Sequence, residues 1–204
     1  SDLLHFSIAS LKQKQSVYSA PTYIRDLTSV DEDKKIGWAY AKDIHTQARV
    51  LLPASMLYIF YGRLYDEGLF VDVTSNGVGA HTTKERALLG AFYELFERDS
   101  LLMYWLLTLS PQKIDLTSFD DTDIKEGISN FEKNGCTLHL LDCKTEYNIP
   151  SLVLVTIDDA TGSVDVQAAA GFNIESNIKK MLRDGSHSIK AELVKKTTLE
   201  YSKI

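Results

Sequence analysis

The sequence predicts an α+β fold, with mixed sheets and packed helices, in one domain over residues 1–204. Three observations carry this reading. Three β-rich runs follow one another after Gly135: the alternating "CTLHLLDCKT", the continuously apolar "IPSLVLVTIDD" and "VDVQAAAGFN". Runs of this kind, separated by turn residues, become hairpin neighbours in one sheet. The stretch from Thr83 to about Leu107 is apolar around most of a helical circumference, as a helix inside a domain reads. "SFDDTDIKEGISNFEKNG" repeats its apolar residues at helical spacing. The alternation of helices and strands leaves the α/β class as the alternative.

Taken in order, Ser1 to Gln15 lacks turn residues, and "LLHFSIASL" fits a helix or a strand. "SVDEDKK" is a charged loop. "IGWAYAKDI" reads as a strand with Trp38 and Tyr40 on one face. "HTQARVLLPASMLY" reads as a turn and a short strand that ends at Pro53. Thr82 with Glu85 three residues on is a capping box, so the long helix is expected to start near Thr83, and Pro111 closes that region. In the next helix Ile124, Ile128 and Phe131 point inward and Gly135 is the stop. Cys136, Leu138 and Leu140 share one side of the first β run, the second run is the central strand, and "ATGS" turns it into the third. The tail from Ile174 is helical in pattern and is expected to break at Asp184–Ser186.

Of the 204 residues, 44% are hydrophobic and 25% charged, an ordinary soluble composition with a formal net charge of −6. That balance argues against a nucleic-acid partner held by bulk electrostatics. Cys136 and Cys143 are too few for a disulfide framework and read as buried free thiols. The N-terminus has no secretory pattern, and the run "LLMYWLLTL" is far short of the ~20 residues of a membrane span. The expectation is a cytoplasmic protein with no membrane partner.

The functional signal lies in "SNGVGAHTTKERALLGAFYELFERDS". At ~100° per residue Ala87, Gly90, Ala91, Glu94, Glu97, Arg98, Leu101 and Trp105 share a stripe. Leu88, Leu89, Phe92, Leu95, Phe96 and Met103 lie opposite. A mid-helix glycine costs ~1 kcal/mol against alanine, so Gly90 calls for a close neighbour. Glu94 and Glu97, at i and i+3, repel each other. Arg98 offsets one of them, and the second needs another cation in a poorly solvated place. Mg²⁺, an oxygen-seeking ion shared with phosphates, fits that need. The preceding turn offers Ser75, Asn76, Gly77 and Gly79 ahead of a helix N-terminus, where anions are favoured. Each feature has a plain alternative: a solvated ion-pair cluster for the charges, a tight capped turn for the glycines. His81 reads as a capped loop residue, and His45 and His139 as exposed positions. No Ser-His-Asp arrangement stands out, so the catalytic residues are left unknown.

As a whole, "TSNGVGAHTTKERALLGAFYELFERDSLLMYW" resembles the central segment of the YcaO family, and upstream "GWAYAKDIHTQARVLLPASMLYIFY" resembles a strand of that family. The resemblance covers roughly Tyr23 to Gly171. It implies ATP and Mg²⁺ as cofactors and phosphorylation of a peptide backbone amide in a ribosomally made precursor. Azoline-forming cyclodehydration is the expected outcome, with thioamide chemistry as an alternative. It implies that Glu94 and Glu97 are carboxylates for the Mg²⁺–phosphate assembly. Arg98 would hold that cluster or touch phosphate, and Ser75 and Asn76 would be weaker nucleotide contacts. By analogy, a leader-binding partner of the ubiquitin-activating-enzyme-like kind is expected. The oligomeric state is left open, a homodimer included.

The chain departs from the family pattern in three places. No earlier Glu-x-x-Glu-Arg helix precedes Tyr23, and the family's extended C-terminal tail is not found. "GFNIESNIKKMLRDGSHSIKAEL" stands where a later ligand-bearing helix is expected, and leaves Asp184, His187 and Glu192 open. The expectation is therefore an incomplete YcaO-like domain, inactive alone and an enzyme in its full-length form. The competing readings are a non-catalytic peptide- or partner-binding scaffold and, more weakly, a carboxylate-metal hydrolase.

Overall fold

The structure is a computed structural model that describes residues 3–13, 31, 33–67 and 74–186. The chain forms two compact units, Ser1–Ser75 and Asn76–Ile204.

The first unit contains β1 (Leu4–Ser7), α1 (Ile8–Gln13), β2 (Lys35–Lys42), β3 (Arg49–Pro53) and two single-turn helices, α2 (Ala54–Leu57) and α3 (Tyr61–Leu64). The stretch that reads as helix or strand is both, in succession. The sheet is antiparallel in the order β1-β2-β3, with Trp38 opposite Leu4 on one side and Pro53 on the other. Ile8, Leu11, Ile36, Trp38 and Leu51 form its core. The buried Trp38 indole donates to the Phe6 carbonyl at 3.0 Å, so its one polar atom is satisfied. Tyr40 shares the Trp38 face but is exposed, with the Arg49 guanidinium 3.4 Å from its ring centroid.

The second unit contains α4 (Lys84–Leu106), β4 (Gln112–Ile114), α5 (Thr122–Lys133), β5 (Cys136–Asp142), β6 (Ser151–Asp158), β7 (Val164–Ala170) and a helix, α6, over residues 174–186. The sheet is antiparallel in the order β4-β5-β6-β7. β6 is central, as its unbroken apolar run requires, and Ser151 to Leu154 are all buried. Side chains alternate across the sheet. On one face Leu140, Leu152, Leu154 and Ala169 join Ile124 and Phe131 of α5 and Ile178, Met181 and Leu182 of α6 in a single core. On the other face, to which Val153 and Ala170 point, α4 runs across β6 and β7. Asp121 caps α5 by accepting from Asp123 and Ile124 N–H, and Gly135 (φ 73°) ends the turn after it.

Two sequence expectations are corrected here, and one strand was not foreseen. The cap of α4 is Thr83, which accepts from the Arg86 amide, whereas Thr82 pairs with the His81 ring. α6 does not break at Asp184–Ser186; buried Gly185 sits where a Cβ would touch Phe131, so its small size suits the packing. The edge strand β4 is three residues long and shows no alternation in the sequence, which is why it is not legible there. Among the described residues no helix is long and apolar enough to cross a membrane.

Candidate functional site

The site begins with the orientation of α4. Its two buried polar residues are Glu97, at 5% exposure, and Ser100, at 1%. Leu88, Leu89, Phe92, Leu95 and Leu102 are exposed instead. Apolar residues run most of the way round α4, so its composition does not single out one buried stripe. Packing on the sheet selects the face that carries Tyr93, Glu97, Ser100 and Tyr104.

A buried carboxylate needs charge partners, and Glu97 has two. Lys180 of α6 donates to Oε2 at 3.1 Å, and Arg98 lies 3.5 Å from Oε1 through Nη2. Burial pushes the Glu97 carboxyl above its ordinary range; Lys180 and then Arg98 pull it back, and the charge of Glu94 adds to the rise. Glu94 stands one turn earlier and is half-buried, and among the described residues it makes no ion pair. The Arg98 Nε is buried with no acceptor, as is the Ser100 hydroxyl. Gly90, four residues before Glu94 on the same side, has nothing within 4 Å of where a Cβ would stand. The close neighbour that the sequence led us to expect at Gly90 is not there among the described residues, and the helix floor beside the glutamates is open.

The close approach occurs at the turn before α4. A Cβ on Gly79 would come within 2.9 Å of Ala87 C and Ala91 N and closer still to the Ala87 carbonyl. Gly77 (φ 77°) packs on Leu95. The loop therefore lies directly on Ala87 and Ala91 of α4. Asn76, like Ser75 before it, is exposed. His45 is exposed as expected and His81 is an exposed loop residue, whereas His139, expected to be exposed, is half-buried, with its Nδ1 enclosed and without a partner.

Lys180 escapes a reading of the sequence, because it lies 83 residues from Glu97 and within an ordinary Lys-Lys pair. Its neighbour Lys179 pairs with Asp121 and Asp123 on α5. The turn that delivers α6 is held against α4: Phe172 meets Tyr93 edge-on at 6.4 Å, and Asn177 donates to the Gly171 carbonyl. Asp184 pairs with Arg183 at 3.3 Å. His187 and Glu192 lie outside the described residues. Among the described residues no three His, Cys, Asp or Glu side chains gather as a metal site.

The donor set fits a divalent ion carrying a polyphosphate better than a bare ion. Glu94 and Glu97 are the carboxylates that could hold a metal, Glu97 by giving up a contact with Lys180 or Arg98. Arg98 and Lys180 offer positive donors to phosphate, and the bare floor at Gly90 leaves room beside them. The fold and this site define an α+β protein with a helix-borne ionic centre.

A sequence model of the YcaO family, described as a cyclodehydratase that binds ATP and Mg²⁺, matches residues 8–191. The chain belongs to the YcaO family. Among solved structures, a heterocyclase in complex with substrate and cofactor superposes with a TM-score of 0.70 at 22% identity, over 90% of this chain and 27% of that one. The YcaO protein of Methanopyrus kandleri bound with AMPPCP and Mg²⁺ gives a TM-score of 0.62 at 18% identity, over 82% of this chain and 42% of that one. The E. coli microcin synthetase McbBCD complex with pro-MccB17 bound gives a TM-score of 0.62 at 15% identity, over 80% and 43%. At these identities the likeness is one of fold, and the chain spans less than half the length of each. A search of curated protein sequences gave no match.

Proposed function

We propose that the protein uses ATP and Mg²⁺ to activate backbone amides of a ribosomally made precursor peptide, and that it closes azoline rings in that peptide. The observation that carries this reading is the buried Glu97 on α4, flanked by Glu94, Arg98 and Lys180, in a chain of a family described as ATP- and Mg²⁺-binding. Glu94 and Glu97 are the metal-holding carboxylates. Arg98 holds Glu97 in place or touches phosphate. Ser75 and Asn76 touch the nucleotide, and residues 1–204 work as one domain.

Bound ATP supplies the phosphoryl group that turns the amide oxygen into a leaving group. A Cys, Ser or Thr side chain of the peptide then bonds to the amide carbon, and the oxygen departs with phosphate. The peptide loses one water in all. The residues of this chain bind and orient; none of them forms a covalent bond to substrate in this scheme. A separate leader-binding protein of the ubiquitin-activating-enzyme-like kind delivers the peptide. Support for such a partner comes from the similar McbBCD complex with pro-MccB17 bound.

The test is mass spectrometry of a candidate precursor peptide incubated with the protein, its partner and Mg·ATP, with phosphate release followed in parallel. The expected result is a loss of one water per modified residue, abolished by Glu94→Ala and by Glu97→Ala. Modification that proceeds without nucleotide would overturn the reading. One observation favours a second reading, a peptide-binding scaffold without phosphoryl chemistry: Oε2 of Glu97 is already ion-paired to Lys180. In that case neither nucleotide binding nor phosphate release is expected.

A further inference from the structure

We infer that Lys180 is a resident counter-ion that occupies Glu97 before the metal arrives, so that the site accepts a divalent cation together with a nucleotide and not alone. The inference rests on the metal-binding reading of Glu94 and Glu97 and deepens it. Glu97 is almost fully buried, and each of its oxygens faces a cation. The two cations differ in their freedom. Arg98 adjoins Glu97 on the same helix, and although 43% of its side chain is exposed its Nε is enclosed, which anchors the base of the guanidinium. Lys180 comes from α6 on a flexible four-carbon stem, and its side chain is 46% exposed. Lys180 is the displaceable partner.

The charge count gives the consequence. Glu94 and Glu97 contribute two negative charges, Arg98 and Lys180 two positive ones, so the cluster is neutral without metal. A bare divalent ion entering it must compete with Lys180 for Oε2 and then sit beside a displaced ammonium. A polyphosphate arriving with the metal removes that penalty, because its oxygens take up the freed Lys180. The arrangement also explains how a buried glutamate is held in place in the metal-free protein. Lys180 is thus a positioning residue that sets the order of binding.

The experiment titrates Mn²⁺, read by electron paramagnetic resonance, into nucleotide-free protein, and compares wild type with Lys180→Met. A unit charge about 5 Å from a doubly charged ion is worth about tenfold in affinity even at the dielectric of water. Lys180→Met is therefore expected to bind free Mn²⁺ at least about tenfold more tightly than wild type. Adding Glu97→Gln to it restores the neutral count and should erase the gain, and Lys180→Arg should behave as wild type. Should the Met variant fail to fold, Lys180→Gln, which keeps a hydrogen-bond donor for Oε2 and drops only the charge, takes its place. Equal Mn²⁺ affinity in wild type and in the single Lys180→Met or Lys180→Gln variant would overturn the inference. Calorimetry of Mg·ATP on wild type separates the two levels. If it binds while the single Lys180 variant gains no Mn²⁺ affinity, only the counter-ion role fails; if it does not bind, the metal–nucleotide reading itself fails.

Discussion

Gly79 and Gly90 give a matched pair of perturbations, because one is crowded by α4 and the other stands open on it. At Gly79 an added methyl would lie 2.9 Å from Ala87 C and Ala91 N, with the Ala87 carbonyl closer still. These are helix backbone atoms and cannot swing aside as a side-chain tip can. Overpacking of this kind costs about 3 kcal/mol, so Gly79→Ala is expected to lift the loop from α4 and to lower stability by that order. At Gly90 there is nothing within 4 Å to clash with. Gly90→Ala removes the conformational cost of a mid-helix glycine and is expected to raise stability by about 1 kcal/mol. Its methyl nevertheless stands on the floor beside Glu94 and Glu97, so nucleotide affinity should fall while stability rises. Urea unfolding followed by circular dichroism, with Mg·ATP calorimetry on the same samples, reads both effects. A Gly79→Ala protein as stable as wild type, or a destabilised Gly90→Ala protein, would refute the packing described for the loop and helix. A Gly90→Ala protein with unchanged nucleotide affinity would refute the floor as a binding surface.

Two further predictions rest on other parts of the unit. Burial raises the Cys143 thiol to about 11, so iodoacetamide at pH 8 should leave Cys143 unmodified in the folded protein and label it after denaturation; rapid labelling under native conditions would contradict its burial. Asp121 caps α5 and meets Lys179 at 2.6 Å, and the hydrogen bond from Lys179, ahead of those from the α5 backbone, holds its carboxyl below the ordinary range. A depressed folded pKa means that its stabilisation is present above the unfolded value, near pH 4, and is lost as pH falls through the folded one. Asp121→Ala should therefore unfold at a lower temperature than wild type at pH 7, with the gap closing in acid; a gap that persists undiminished at pH 2 would contradict that role.

How much of this was legible in the sequence follows from what each signal depends on. The strand β6 could be read because a central strand buries both faces, which leaves an unbroken apolar run. The helix α5 could be read because Asp121, Ile124, Ile128, Phe131 and Gly135 mark its cap, its inner face and its stop. These are local effects. The orientation of α4 is not local: apolar residues on nearly every side allow several faces to be buried, and the sheet surface across β6 and β7 makes the choice. The carboxylate pair and Arg98 were visible as a motif, and the need for a further cation followed from charge alone. The sequence reading proposed Mg²⁺ for it. In the folded chain the resident cation is Lys180, brought in by the turn at Gly171 to Asn173, and no spacing rule connects residues so far apart. The same distance effect hides the contact of Gly79 with Ala87 and Ala91, which accounts for the small size of those two residues.

The central claim is that Glu94 and Glu97 on α4 grip a phosphate-bound metal. Calorimetric titration of Mg·ATP into wild type, Glu94→Gln and Glu97→Gln tests it most directly. The account predicts saturable binding by wild type that requires Mg²⁺ and is largely lost in both variants while their folds persist. Wild-type affinity retained in the two variants would contradict it.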